Sequence, residues 1–351
     1  MTTPIALAYH DDFLAHGPDW GMENRHRLEA LTAHLRASGF WDRLAHLGFA
    51  AADEATLSWL HSPEYVEEVH SISALNGGYL APSTYLTATS YDVARLAVGG
   101  CLAAVGAVLS GEARSALCLV RPPGHHAGHD HGGGFCVFNN AALAAEFALH
   151  AGLSRVAIVD FDVHHGNGTQ DLFYHRGDVL FASVHQMDLY PGTGTVDEVG
   201  IEAGFGATVN VPLPEGACDG HYSTVFRRII VPALRLFEPE FIIVSAGYDA
   251  HYGDPIAQMS LTASAYHDIA AQIQTAADAL CAGRTCFILE GGYDEPALCS
   301  GVENTLKALW GEPPLASPPA PPVHPETTSR VETYLQHAIE MHSERLGLGP
   351  E

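Results

Sequence analysis

The sequence predicts an α/β fold in which a mainly parallel sheet is covered by helices on both faces. Three observations lead there. From residue 116 to 310, short apolar runs alternate with longer stretches of helical spacing, the pattern of repeated strand–helix units. The strand-like runs, such as Val156-Ala-Ile-Val159, are apolar throughout rather than alternating, as strands buried on both faces are. The helix-like stretches are rich in alanine, which suits close packing on a sheet.

In chain order, residues 5–9 form a first strand that opens into a polar loop over 10–21. Residues 23–38 have helical spacing through Leu28, Leu31 and Leu35 and stop at Gly39. Ser62-Pro63-Glu64 starts the next helix, with a capping serine and a proline in the first position. Gly77-Gly78 and Pro82 mark a loop. A long Ala-rich helix spans 90–111. Its apolar core of about 16 residues is short for a membrane span, and Arg95 and three glycines interrupt it, so a buried helix is expected. Strands are then expected at 116–120, 156–164, 179–184, 208–211, 241–245 and 285–289. The helices between and after them are placed at 139–150, 169–174, 220–237, 263–282 and 295–310. With no boundary visible before it, residues 1–311 read as one catalytic domain. The prolines of 312–325 make a semi-rigid linker, and a last helix over 329–346 would dock on the body or on another subunit, leaving a homo-oligomer open.

Composition narrows the class. The chain has 351 residues, 47% hydrophobic and 16% charged, which is globular and sufficient for a large core. A formal charge of −25 argues against binding to nucleic-acid phosphates and leaves a cationic substrate open. The seven cysteines are scattered singly with no C-x-x-C, which points to reduced thiols in a cytoplasmic protein. The N-terminus lacks a basic start followed by an apolar run, and no membrane partner is expected.

The chemistry concentrates in Arg155-Val-Ala-Ile-Val-Asp-Phe-Asp-Val-His-His-Gly-Asn-Gly168. On a strand, the two-residue period would send Asp160, Asp162 and His164 to one face. Two carboxylates and an imidazole in a row are costly to bury without a cation, and their O and N donors suit a divalent ion such as Zn²⁺ or Fe²⁺. A strand end that frays into water is the bland alternative. Three other motifs also follow predicted strands, at the end where open α/β sheets bind ligands: Arg121-Pro-Pro-Gly-His-His126, Ala246-Gly-Tyr-Asp249 and Glu290-Gly-Gly-Tyr293. Together they would supply three metal ligands (Asp162, His164, Asp249), a histidine pair for acid–base work (His125, His126), Asp160 to orient an imidazole, and Tyr293 to meet an oxyanion. A G-x-S-x-G elbow is absent.

Six stretches carry a family resemblance: RPPGHHA (121–127), GGGFCVFNN (132–140), VDFDVHHGNGTQ (159–170), HQMDLYPGTG (185–194), AGYDAHYGDP (246–255) and EGGYD (290–294). In this order they resemble the histone deacetylase and acetylpolyamine amidohydrolase family, over residues 5–311. The resemblance implies a three-layer arginase/deacetylase-like fold and a Zn²⁺ or Fe²⁺ hydrolase, with a narrow tube for an acylated amine. It implies Asp162, His164 and Asp249 as metal ligands and His126 as general base. It further implies His125 as the electrostatic partner paired with Asp160, and Tyr293 as the oxyanion donor. Gly134, Phe135 and Tyr190 would line the tube. A structural K⁺ would take main-chain oxygens of Asp160, Asp162 and His164 together with Ser183.

Departures from the family pattern bear on substrate. Asn167 stands where some members have an Asp facing the second histidine and the class II-like branch has Asn, which places the chain nearer that branch. Ile256 stands where some polyamine-selective relatives carry Glu, and no Asp lies near 78–83 to clamp a substrate backbone. Asp11, Asp12, Asp19 and Glu23 are expected at the rim, facing a distal cation, and His165 could back the metal strand. The expected partner is therefore an acetyl-lysine peptide or a small acetylated amine. An acetylpolyamine-selective enzyme is the main alternative; a binuclear manganese ureohydrolase and an inactive acetyl-amine sensor are further ones.

Overall fold

The computed structural model describes residues 4–322 and 325–345. Ten strands form within it. In chain order they are β1 (Ile5–Ala8), β2 (Ala45–His46), β3 (Gly77–Ala81), β4 (Thr84–Thr87), β5 (Ser115–Cys118), β6 (Val156–Asp160), β7 (Val179–Gln186), β8 (Thr208–Leu213), β9 (Phe241–Ala246) and β10 (Thr285–Leu289). Eight of them make one sheet in the order β2-β1-β5-β10-β9-β6-β7-β8, and every pairing in it is parallel. Helices lie on both faces, the mixed α/β architecture of the arginase/deacetylase type. Every residue of β5, β6, β7, β9 and β10 is buried, which is why these strands read as near-continuous apolar runs broken mainly at their ends.

Helix starts follow their caps. Ser62 Oγ accepts the Tyr65 N–H ahead of helix Pro63–Ala74, and Asn139 does the same for Ala142 ahead of Asn140–His150. Helix Ser90–Leu109 is long and apolar enough to cross a membrane by composition, but it lies against β1, β5 and helix Asn140–His150. Its Gly99 touches another segment so closely that a Cβ there would meet the Ala50 carbonyl at 1.9 Å. That approach explains the glycine in an otherwise helix-favouring run.

Three expectations need correction. The central strand ends at Asp160, not His164. Beyond that point side chains take over the ladder's donors: Asp160 Oδ1 accepts the Asp162 N–H at 3.1 Å, and Asp162 Oδ1 accepts the His164 N–H at 2.9 Å. The helix expected over 220–237 is three pieces, Asp219–Val225, a π-turn Phe226–Ile230, and Val231–Phe237. Pro232 has no N–H to return to the preceding turn, and the chain widens there. The expected loop at 77–82 is mostly a hairpin, β3 with β4 antiparallel.

Residues 312–322 have no regular structure. Helix Pro325–Arg345 follows and packs on β8 and helix Asp219–Val225 through buried Val331, Leu335, Ala338 and Ile339. His342 Nε2 bonds the Asn210 carbonyl at 2.9 Å. The expected end of this helix, Leu346, lies outside the described residues.

Candidate active site

The four motif-bearing loops leave β5, β10, β9 and β6, which are neighbours in the sheet, so their first residues meet on one edge. Asp162, His164 and Asp249 converge there, with one donor atom of each within 4.8 Å of the others and all three residues buried. His164 Nδ1 lies 3.1 Å from Asp162 Oδ1 and 3.2 Å from Asp249 Oδ2. The outer lone pairs of the carboxylates are already used: Asp249 Oδ1 accepts the Val163 N–H at 2.9 Å, and Asp162 Oδ2 the Gly291 N–H at 2.7 Å. Gly247 and Gly291 leave room for this convergence, since a Cβ at either would stand 2.1 or 2.0 Å from a carboxylate oxygen.

This donor set fits a divalent cation. Burial disfavours a charged His164, but its hydrogen bonds to Asp162 and Asp249 outweigh that and push it up to about 10. Burial likewise opposes a charged Asp162, yet the positive imidazoles of His125 and His164 hold its carboxyl far below the usual range. Two buried carboxylates that draw positive charge onto the ligand between them mark a place built for a cation.

The histidine pair sits beside it, ring centroids 4.0 Å apart. His125 Nδ1 bonds Asp160 Oδ2 at 3.0 Å, and His126 Nδ1 bonds Asn167 Oδ1 at 2.8 Å. The two environments pull in opposite directions. Burial penalises the His125 cation, but Asp160 and Asp162 outweigh it and raise the ring to about 10. His126 is driven well below its ordinary value by burial and by the charges of His125 and His164, with only an amide to compensate. With an amide oxygen as acceptor, His126 Nδ1 carries the proton and Nε2 is left as a base. Titratable neighbours pushed apart in this way separate acid from base.

Phe135 and Tyr190 stand in front of the pair. The Tyr190 ring lies 4.9 Å from His126 and is 48% exposed, and Phe135 faces the Tyr293 ring at 5.7 Å. Gly134 has φ +53°, and a Cβ there would be 2.3 Å from His126 Cδ2, so a side chain cannot replace it. Tyr293 is held protonated by burial, its N–H on Asp254 Oδ2 at 2.8 Å and the Arg27 guanidinium 4.9 Å from its ring centre. Ile256 lies on the Asp249 loop, half-buried, its N–H on Asp254 Oδ1. Ser183 is the register partner of Asp160 on β7. His165 bonds Thr193 and Gln170 rather than the ligands.

Sequence reasoning missed the support beneath this edge. Arg121 is fully buried and bonds the Phe13 and His16 carbonyls and both oxygens of Glu23. Arg27 bonds Glu23 Oε1, the Gly292 carbonyl at 2.7 Å and the Glu290 carbonyl at 2.6 Å, which ties the first loop to the tyrosine loop. A signal existed: Arg27 sits four residues before Leu31, on the apolar stripe of helix His26–Ala37, where an arginine needs partners. Glu23 is thus not a rim carboxylate, as expected from sequence. It is 6% exposed and spent on two arginines, whereas Asp11, Asp12 and Asp19 are exposed.

Burial opposes ionisation of Glu23, but Arg121 and Arg27 outweigh it and hold the carboxyl at about 2 against an ordinary 4.5. A depressed folded value means the contribution is complete above pH 4.5 and is lost as pH falls toward 2, on the order of 3 kcal/mol. Glu23→Gln is expected to lower the unfolding free energy at pH 7 by ~3–5 kcal/mol, because it strands two buried arginines, and to flatten the acid limb. Urea unfolding of both proteins at pH 7 and pH 3 measures this. Equal stability at pH 7 would remove the network from the account of the fold.

The histone deacetylase domain pattern matches residues 21–309. The chain is 43% identical over 267 residues to histone deacetylase 14, chloroplastic, of Arabidopsis thaliana, a match covering 74% of this chain and 63% of that protein. It is 41% identical to a probable deacetylase of Archaeoglobus fulgidus, over 82% of this chain and 80% of the relative. Identity to the human polyamine deacetylase HDAC10 is 38%, over 90% of this chain and 50% of that one. The chain spans less than two thirds of the two chloroplastic relatives it matches, 63% and 60%. The crystal structure of the HDA15 HD domain superposes with a TM-score of 0.88 at 33% identity, covering 98% of both chains. With four motif loops meeting on one sheet edge and relatives this close across most of its length, the chain belongs to the histone deacetylase domain family.

Proposed function

We propose that this chain is a metal-dependent amidohydrolase that removes the acyl group from acylated primary amines, with acetyl-lysine peptides and small acetylated amines as substrates. The observation that carries the reading is the convergence of Asp162, His164 and Asp249 beside two histidines of opposed proton affinity. Asp162, His164 and Asp249 would hold Zn²⁺ or Fe²⁺. Such an ion supplies Lewis acidity toward the amide carbonyl and toward water.

The chain's own groups do the rest. His126 Nε2 takes the proton of the attacking water. His125, kept cationic by Asp160 and Asp162, stabilises the negative charge that develops and leaves the leaving amine within reach of a proton. The Tyr293 hydroxyl donates to the carbonyl oxygen as it becomes an oxyanion. Phe135 and Tyr190 flank the aliphatic stem and exclude water around the amide. Main-chain oxygens of Asp160, Asp162 and His164, with Ser183, would hold K⁺ beneath the ligand loop.

Acetate release from a panel of acetylated lysines and polyamines, using protein loaded with one equivalent of zinc, tests the reading. No release from any member, with metal bound, would overturn it. A polyamine-selective enzyme is the second reading, favoured by the 90% coverage of this chain in the match to the human polyamine deacetylase. Against it stand Ile256, which offers no charge to an ammonium group, and the withdrawal of Glu23 from the rim. Exposed Asp11, Asp12 and Asp19 attract cations but select weakly. We therefore expect kcat/KM for an acetyl-lysine peptide within ~10³-fold of that for acetylated putrescine or spermidine. A larger preference for polyamines, worth over ~4 kcal/mol, would require a selective contact and favour the second reading.

A further inference from the structure

Beside the ligand triad, a second set of donors meets. His125, Cys136 and Glu290 each place one candidate ligand atom within 4.8 Å of the other two, and all three residues are buried. Glu290 is fully buried on the exit of β10. Its Oε2 accepts the Gly124 N–H at 2.7 Å and the His125 N–H at 3.2 Å, so the backbone that carries His125 also fixes this carboxylate. Its other oxygen, Oε1, is buried with no hydrogen-bond partner. Cys136 is presented by a tight turn, its N–H on the Gly133 carbonyl at 2.8 Å, and its thiol contacts the Gly134 carbonyl at 3.5 Å and the His126 backbone. The orphaned carboxylate oxygen and the thiol, converging on the His125 imidazole, are two groups the hydrolytic reading leaves unused.

We propose that His125, Cys136 and Glu290 form a second divalent-cation site, selective for thiophilic ions such as Zn²⁺, Co²⁺ or Cd²⁺. Thiolate, imidazole and carboxylate together suit these ions and not Mg²⁺ or Ca²⁺, which take oxygen donors. His125 is already dressed as a ligand. Its Nδ1 is committed to Asp160 at 3.0 Å, the carboxylate–histidine pairing that orients metal-binding imidazoles, which leaves Nε2, 3.8 Å from Asp162 Oδ1, as the nitrogen for an ion. Binding balances in protons: the thiol gives up its proton to solvent as the thiolate coordinates, and whatever protons the imidazole nitrogen and the Glu290 carboxyl carry leave with it. The unpartnered Glu290 oxygen gains a partner in the same step. An ion in this place occupies the imidazole of His125 and so takes that side chain out of the hydrolytic site.

The sulfur makes the site separable from the triad, which contains only oxygen and nitrogen donors. Chelator-stripped protein titrated anaerobically with Co²⁺ should bind two equivalents per chain, one of them raising a thiolate-to-cobalt charge-transfer band in the near ultraviolet. Cys136→Ser should abolish the band and one equivalent. Glu290→Gln should weaken that equivalent by at least ~10-fold. Cys218→Ser is the control, since Cys218 lies 3.3 Å from His221 in another Cys–His contact, and the band should survive it. Asp249→Ala should lose the equivalent without the band and keep the band, so failure of the hydrolytic reading and failure of this one give different results. The second equivalent should lower turnover by ~10²-fold in the wild type, the usual worth of one acid–base group. A single equivalent with no band means that only water meets Glu290 and overturns the site. A band that persists in Cys136→Ser, or vanishes in Cys218→Ser, overturns it as well.

Discussion

Asp249→Ala is expected to lose the metal held with Asp162 and His164, and turnover with it. Asp249 Oδ1 is fixed by the Val163 N–H, which leaves Oδ2 as the oxygen that faces His164 at 3.2 Å. Truncation removes that oxygen and leaves one carboxylate and one imidazole, too few to hold zinc against competition. The fold should survive, because the strand before it, β9, is paired on both sides. The cavity left is small, and the charge removed had no arginine partner. Metal analysis after dialysis, together with acetate release, checks the expectation. Metal content unchanged from the wild type, with normal turnover, would show that the ligand set lies elsewhere.

Tyr293→Phe should lower kcat by ~10²–10³-fold with little change in KM, the usual cost of one lost oxyanion donor. The reasoning is geometric. The Tyr293 backbone is tied to Asp254, its ring lies between Phe135 and the Arg27 guanidinium, and burial keeps the hydroxyl protonated and able to donate. Phenylalanine preserves the ring and its neighbours, so only the hydrogen bond is lost. A ground-state role would appear instead as a raised KM with kcat unchanged, and an unaltered kcat would end the proposed role.

The fold class was readable because a parallel sheet leaves a local mark: a strand buried on both faces must be apolar at every position, and the helices between must carry periodic stripes. Cap residues were readable for the same reason. Ser62 and Asn139 act within three residues of themselves, and no distant contact is needed to recognise them. Element ends were less visible. At the exit of β6 the chain could have continued as a strand, and side-chain bonds from Asp160 and Asp162 to the backbone ended it.

By itself, the sequence determined the alternation of strands and helices and the four polar motifs that follow four of the strands. Only the tertiary structure decided that β5, β10, β9 and β6 are neighbours, which brings Asp249 to Asp162 across 87 positions of chain and Tyr293 to Phe135 across 158. It also decided the fate of charges whose surroundings lie far away. Glu23 looked like a rim carboxylate and is a buried anchor, because Arg121 reaches it from the end of β5. Glu290 looked like a loop beginning, and it is a buried acid with one oxygen unspent. A side chain's hydrophobic character is a local property that the chain displays wherever it goes. The free energy of a charge depends on what stands within a few ångströms of it, and folding supplies those neighbours.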